Sequence, residues 1–521
     1  MKTIDIDLTP EEYHDESLCK ERISKQTGID ADEIAHIHVV RRSLDSRRGI
    51  RYHTNLELFL TDEPYAPPHY GSTYLDCRQS PAVVIVGAGP AGLFAALTAL
   101  EKGFRPIIVE RGKEVGQRKL DIAALTRRQI VNPDSNWCFG EGGAGTFSDG
   151  KLFTRSTKRG NVGNVLNKFI EHGADPDILV DLHAHIGTDR LSGIIANIRN
   201  TILAHGGEYH FNTKVTDFVF HNDGSRRSIR GVKCDDGSQY EGLAVVLATG
   251  HSARDIYELF HAKGWLLEAK PFALGVRVEH PQALINQIQY HGPHFSPLLP
   301  PASYSLTSQV NGHGVFSFCM CPGGYIVPAA TDLGQQVVNG MSNSHRNSPF
   351  ANSGIAVTVA PEDVPQFAPH GPLTLLRFQQ SVEQSVYAAA GNTITAPAQR
   401  LTDFCEDRRS QSLNKSNYMG QCLSAPLHRI LPPFIVGCLQ QGFRLFDKKM
   451  HGFYTQNANI LAVESRTSSP VRIPRGDDMQ HPQLKRLYPC GEGAGYAGGI
   501  VSSAIDGINC ILHLAESCTR H

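Results

Sequence analysis

The sequence predicts an α/β protein in which a parallel-sheet domain is split by an inserted α+β domain and preceded by a small α+β module. Three observations predict it. An apolar strand, a glycine turn and a helix follow one another from Val83; a second strand, glycine turn and helix follow Leu487; and between them the alternation of strands and helices gives way to a β-rich and then a helix-rich stretch.

Composition narrows the class. Fifty Lys and Arg against 51 Asp and Glu leave a formal charge of −1 on 521 residues, with 40% hydrophobic and 19% charged. A disordered chain would be less apolar, and a protein that coats nucleic acid would carry a basic surplus. So long a chain outgrows one hydrophobic core. Twelve cysteines without a C-x-x-C pair read as reduced thiols, and the acids in MKTIDIDLTPEEYHDESLCK stand where an export signal would be apolar, so a cytoplasmic protein is expected. The uncharged run Gln79 to Leu100 is long enough to span a bilayer, but Pro81, Gly87, Gly89, Pro90 and Gly92 would break such a helix near its middle.

Residues 1–75 read as a β-α-β-β module: TIDIDL alternates, ESLCKERISKQ is helical in pattern, and AHIHVVRRSL and YHTNLELFL are strand-like. A Pro/Gly/Tyr-rich link leads into the first part of the parallel-sheet domain, residues 80–269. There Leu191, Ile194, Ile195, Ile198, Ile202 and Leu203 fall on one helical face, with Thr188 and Asp189 as capping candidates and Gly206-Gly207 as the stop. EYHF, VTDFVF, RGVKC and AVVLA read as strands. Residues 270–475 form the inserted domain, with β-like ALGVRVEH, GVFSFCMC, GYIVPA and QQVVNGM, then helix-like LRFQQSVEQSVYAAA and HRILPPFIVGCLQQGFRLF. Residues 476–521 return to the first domain.

From Val83, VVIVGAGPAGLFAALTALEKGFRPIIVERG places Gly87, Gly89, Gly92, Ala96, Gly103 and Glu110 at the spacing of a Rossmann-type dinucleotide-binding unit. Gly87 permits the tight turn, Gly89 lets backbone N–H groups approach a pyrophosphate, and Gly92 lets the helix lie close on the sheet; Pro90 and Ala91 open that helix, whose positive end faces the phosphates. Glu110 ends the second strand and can accept from a ribose hydroxyl pair.

Two further stretches select FAD. AVVLATG, ending at Thr249 and Gly250, resembles the strand-to-turn segment of two-dinucleotide-binding-domain, glutathione-reductase-like flavoproteins. LYPCGEGAGYAGGIVSSAIDGI resembles their second flavin motif, with Gly491, Glu492, Gly498, Gly499 and Ile500 at the turn and helix start; Glu492 stands where an aspartate is usual. CFGEGGAGTFSDGKL, KPFALGVRVEHPQ, FCMCPGGYIVPA, VESRTSSPVRIPR, GEGAGYAGGIVSSAIDG and the RRSLDSRR segment then resemble the bacterial family of uncharacterised FAD-dependent dehydrogenases over nearly the whole chain. The resemblance implies FAD and a redox role, a loop of Gly142, Gly143, Gly145, Thr146 and Ser148 near the flavin ring, Arg111 toward the adenosine side and Val215 against the adenine.

Catalytic candidates are His251, after the ATG turn, and Arg277 and Glu279 in GVRVEH; His280, Glu464 and Arg466 come next. Each suits a structural or surface place better than a catalytic one. Cys319-x-Cys321 reads as a structural pair, because a metal would want further ligands and a dithiol relay would want two cysteines soon after the first nucleotide unit, where only Cys138 occurs. No metal is expected. No second dinucleotide motif lies between Gly250 and Leu487, so electrons enter from the substrate itself, a transient NAD(P)H or a redox partner protein, and the inserted domain serves as a lid. The basic cluster Arg41, Arg42, Arg47, Arg48 and Arg51 reads as a solvated hairpin, with neither nucleic acid nor membrane as partner. The expected function is hydride transfer between a small-molecule substrate and flavin N5. The alternatives are an NAD(P)H-fed hydroxylase or unsaturated-lipid reductase, and a flavin-bearing RNA-modifying or redox-sensing binding protein.

Overall fold

The computed structural model describes residues 1–47, 49–154, 160–222 and 227–519. Five strands form a parallel sheet in the order Leu487–Pro489, Val245–Leu247, Ala82–Val86, Arg105–Val109, Glu208–His210. The central strand has Val83, Val84, Ile85 and Val86 all buried, as a parallel sheet covered on both faces requires. The chain then turns at Gly87 and enters helix Pro90–Glu101, with proline at its start, where the missing N–H would have no helical partner. The run that imitates a membrane span is therefore strand, turn and helix, and among the described residues no helix is long and apolar enough to cross a membrane. The last strand arrives from the far end of the chain. Helix Ile500–Thr519 follows it and shares one buried core with helix Pro90–Glu101 through Phe94, Leu97, Val501 and Ile511.

Helix Thr188–Ala204 covers the same sheet with Leu191, Ile194, Ile195, Ile198 and Ile202. Two details depart from the sequence reading. Leu203 points outward and is 45% exposed. Neither Thr188 nor Asp189 caps the helix: Gly187 holds the cap position, Thr188 is already helical, and Asp189 accepts from the Ser344 N–H at 2.7 Å, so the expected local bond is replaced by a long-range one.

Between Phe272 and Glu464 the chain builds a seven-stranded sheet in the order Thr307–Val310, His313–Cys321, Phe350–Val359, Phe272–Pro281, Asn459–Glu464, Ala396–Arg400, Cys422–Ser424, antiparallel except for its last pair. Val276, Val278 and Ile355 of its central strands pack with Val382 of helix Thr374–Ala389 and with Phe443 and Phe446 of helix Pro433–Lys449. The stretch HRILPPFIVGCLQQGFRLF, expected as one helix, is two, because Pro432 and Pro433 end Leu427–Ile430 and open the next.

The N-terminal module is a three-stranded antiparallel sheet, ordered Lys2–Leu8, Arg51–Leu60, Ile34–Asp45, closed over Ile6, Leu8, Leu56 and Leu58 by Ile23 of helix Glu16–Thr27. It is bound to the rest of the molecule. Arg42 pairs with Asp181, donates to Tyr13 Oη, and lies 3.0 Å from Asp177, which corrects the solvated-hairpin reading for this residue. Arg47 is exposed and pairs with Asp45 at 2.7 Å; Arg48 lies outside the described residues.

Candidate functional site

All five strands of the parallel sheet point their C-terminal ends at one cavity of about 1450 Å³. Gly87, Gly89, Pro90 and Ala91 reach it after the central strand, Glu110 and Arg111 after the next, Val215 from beyond Glu208–His210, Thr249, Gly250 and His251 after Val245–Leu247, and Gly491 and Glu492 after Leu487–Pro489. Ligands bind outside the carboxyl ends of strands in such sheets. The volume exceeds the roughly 300–1,000 Å³ of an ordinary small-molecule pocket.

The three glycines of the first turn do different work. Gly87 has φ +105°, and a Cβ there would meet the Ala248 carbonyl oxygen at 2.4 Å. Gly92 lies behind the wall rather than in it: its Cβ would lie 1.9 Å from the Gly87 oxygen, so it serves helix-on-turn packing. Gly89 has an ordinary φ of −78°, and its Cβ would make an ordinary contact, 3.8 Å from Gly143 Cα. No side chain caps the helix at Gly89, so its first N–H groups face the space.

Gly143 and Gly145 bracket a short 3₁₀ turn that packs against Gly89, Pro90 and Ile500, with Ser148 beside it. Thr146 is buried beneath the turn and donates to the Glu141 carbonyl at 2.9 Å, so it shapes the loop without lining the cavity. Arg118, which sequence reasoning missed, holds this loop from below, donating to the carbonyls of Asn136 (2.8 Å), Trp137 (3.0 Å) and Glu141 (2.7 Å) while fully buried. A basic residue on an amphipathic helix carries no mark of such a role in one sequence.

Glu110 ties the glycine turn to that loop. Its Oε2 accepts from the Ala88 N–H at 2.8 Å and its Oε1 from Gly112 at 2.9 Å and Gly140 at 3.1 Å. Arg111 is held by Asp134 at 2.8 Å and Asp255 at 3.0 Å, above the Phe139 ring. At the second turn, Arg475 grips Asp506 with two bonds, and Asp506 accepts the Gly491 N–H at 2.7 Å. Gly498, Gly499 and Ile500 then open the C-terminal helix onto the cavity.

His251 Nε2 lies 3.6 Å from Glu492 Oε2. Burial, with Arg466 and Arg254 nearby, pushes His251 down to about 4, while burial pushes Glu492 up to about 7. Arg466 lines the cavity and is bound by Glu383 at 2.8 Å.

The structure does not bring Arg277 and Glu279 to this wall. Strand alternation puts both on one face of Phe272–Pro281, opposite Val276 and Val278, and both are buried. Arg277 pairs with Glu464 at 3.1 Å and donates to the Cys319 carbonyl at 2.7 Å. Glu279 accepts the Asn417 N–H at 2.9 Å, its other oxygen has no partner, and burial pushes its carboxyl up to about 7. His280 bonds the Phe453 carbonyl at 2.9 Å. The sequence reading also missed that Tyr13, Arg42 and Tyr52 of the N-terminal module complete the cavity's outer wall.

Residues 82–124 match an FAD binding domain, residues 271–467 match the family described as FAD-dependent protein, C-terminal domain-like, and residues 1–59 match a domain of unknown function. An "Uncharacterized protein" of Clostridium beijerinckii is 38% identical over 526 residues, covering 96% of each chain. A digeranylgeranylglycerophospholipid reductase of Methanothrix thermoacetophila is 37% identical over 62 residues, 11% of this chain and 16% of that protein. The crystal structure of a geranylgeranyl bacteriochlorophyll reductase-like protein from Thermoplasma acidophilum aligns with a TM-score of 0.36 at 11% identity, over 84% of this chain and 79% of that one.

Proposed function

Since this chain belongs to one family with the Clostridium beijerinckii protein and carries FAD-dependent domains, we propose that it moves hydride between a small organic substrate and the flavin N5. It is an FAD-dependent oxidoreductase. The finer relationship, to glutathione-reductase-like flavoproteins, is supported by the two glycine turns, while the absence of a second dinucleotide motif between them departs from that pattern.

One arrangement carries the reading: helices Pro90–Glu101 and Ile500–Thr519 open their N-termini on a single cavity, with side-chain-free backbone at Gly89, Gly498 and Gly499. Helix N-termini favour anions, so the first turn suits a diphosphate and the second the electron-rich end of a flavin ring. Glu110 already accepts three N–H bonds, and its carboxylate retains acceptor capacity for a ribose hydroxyl. Val215 and Arg111 are assigned to the adenosine side, and Gly143, Gly145, Ser148, Thr249, Gly250, Gly491 and Glu492 to the riboflavin side.

FAD supplies the hydride exchange when bound. The chain's own residues shape the pocket and handle the proton. His251 is neutral at pH 7, whereas Glu492 changes charge near neutrality, so Oε2 of Glu492 holds or releases the proton that accompanies the hydride and the imidazole steadies it. Arg466 stays charged beside them because Glu383 neutralises it. No proton step is assigned to Arg277 or Glu279.

The purified protein is expected to be yellow, with a flavin reduction potential whose pH dependence bends near pH 7; Glu492→Gln should remove that bend while FAD stays bound. A colourless protein that gains no colour with added FAD would end the proposal, and an unchanged bend in E492Q would end the role of Glu492. Half-exposed Phe153 and Leu298 at the cavity mouth favour a second reading, an NAD(P)H-fed hydroxylase or unsaturated-lipid reductase with an apolar substrate. Anaerobic mixing with NAD(P)H separates the two: rapid bleaching supports the second reading, and persistence of the yellow band supports substrate dehydrogenation.

A further inference from the structure

The strand His313–Cys321 ends in a kink that brings two thiols to one ammonium. Lys151 Nζ lies 3.7 Å from Cys319 Sγ, 3.8 Å from Cys321 Sγ and 3.4 Å from Asp149 Oδ2. Lys151 and Cys319 line the large cavity, and Cys321 is fully buried behind them. In the sequence the two cysteines lack companions; Lys151, 168 residues upstream, supplies one.

The kink decides whether the sulfurs can bond. In an extended strand residues two apart span roughly 6.6–7.2 Å, while a disulfide accepts Cα separations up to roughly 6.8 Å. Cys319 has φ +47°, in the left-handed region, and the pairing with strand Phe350–Val359 slips between Phe318 and Cys321. Such a bulge shortens the span and re-aims side chains. Arg277 fixes it by donating to the Cys319 carbonyl, which also accepts from the Cys321 thiol at 3.3 Å.

The surroundings favour a thiolate at the cavity-facing sulfur. A hydrogen bond from Cys321, then the charges of Lys151 and Arg277, hold Cys319 well below the usual thiol range against burial and the charge of Asp149, and the same bond with burial pushes Cys321 up. Burial pushes the nearby carboxyls of Glu464 and Glu492 up, although Arg277 pairs with Glu464 at 3.1 Å and shares its charge there; Tyr304, beside Cys321, is pushed up by burial.

We propose that Cys319 and Cys321 form a redox dithiol that reduces small disulfides entering the cavity, with Cys319 as nucleophile, Cys321 as resolving thiol and Lys151 as positioning residue. The Cys319 thiolate attacks one sulfur of R–S–S–R′; that S–S bond breaks, and R′–S⁻ leaves and takes a proton from water. Cys321 then yields its proton to water and attacks Cys319 Sγ, forming the Cys319–Cys321 bond and releasing R–S⁻, which is protonated in turn. Two electrons pass from the protein thiols to the substrate, which becomes two thiols. The step does not pass through FAD, so its failure would leave the reading above intact.

The test uses the reduced full chain. A short iodoacetamide pulse at about pH 6, followed by peptide mass mapping, should label Cys319 at least about tenfold faster than the exposed Cys518, and Lys151→Met should remove most of that advantage. Hydroxyethyl disulfide should convert the wild type to a Cys319–Cys321 bridge and leave Cys321→Ser as a mixed disulfide on Cys319. Should C321S fail to fold, the wild-type labelling and mapping decide alone. Labelling of Cys319 no faster than Cys518, or exposure to hydroxyethyl disulfide without a Cys319–Cys321 bridge, would overturn the proposal.

Discussion

Gly507 meets Ala91 backbone to backbone: a Cβ on Gly507 would lie 2.0 Å from the Ala91 carbonyl oxygen. This close approach joins the C-terminal helix to the helix of the first glycine turn, so the two signatures at opposite ends of the chain open on the same cavity because a side chain is missing at their crossing. Gly507→Leu is expected to cost about 3 kcal/mol or more, since rigid backbone rather than a movable side chain must give way. Calorimetry should show a lower Tm together with loss of FAD, and an unchanged Tm would show that the helices do not cross this tightly.

Gly89 predicts the opposite split between stability and binding. Its φ is ordinary and its Cβ would make only an ordinary contact with Gly143, so Gly89→Leu should cost the apoprotein less than about 1 kcal/mol. FAD content should nevertheless collapse, because the new side chain takes the room assigned to the diphosphate. Full flavin retention in G89L would remove that assignment.

Those two glycines mark what a sequence can and cannot disclose. Gly87, Gly89 and Gly92 stand at fixed spacing within one strand-turn-helix unit, so the motif is legible even though Gly87 also abuts Ala248 and Gly89 faces Gly143. Gly507 sits in an ordinary helical pattern, and its reason lies on a helix some four hundred residues away. The same distinction runs through the site. Glu110 ends a strand in the motif and lines the cavity, whereas Arg277 and Glu279 share the charged, β-alternating look of a site and yet face inward, because a seven-stranded sheet buries both of its faces around them. Arg118, Lys151 and the Tyr13–Arg42–Tyr52 wall gain their places from tertiary contacts alone, and no periodicity marks them.

Glu279 makes that inward burial measurable. The folded protein holds its carboxyl at about 7, against an ordinary 4.5, because burial disfavours the charge more than the bonds from Ser416 and Asn417 favour it. The unfolded chain therefore ionises first. Glu279 lowers stability progressively as pH rises from about 4.5 to about 7, by on the order of 3 kcal/mol at the upper end. Glu279→Gln keeps the shape without the charge, so urea midpoints of wild type and E279Q should diverge across that interval, the variant becoming the more stable. Parallel curves would show that the carboxyl is solvated.

Glu383 has the opposite sign. Burial alone would raise its carboxyl, but Arg254 and Arg466, each 2.8 Å away, outweigh burial and pull it down to about 2. Its contribution to stability is present above about pH 4.5 and is lost as pH falls toward 2. Glu383→Gln leaves two guanidinium groups facing each other in a closed space with only the weaker pull of Asp332 as counter-charge, a change expected to cost about 3 kcal/mol at neutral pH. Because the wild type loses the same carboxylate in acid, the gap between wild type and E383Q in denaturant midpoint should narrow below about pH 4.5. A gap independent of pH would mean that the loss comes from altered packing, since packing does not titrate.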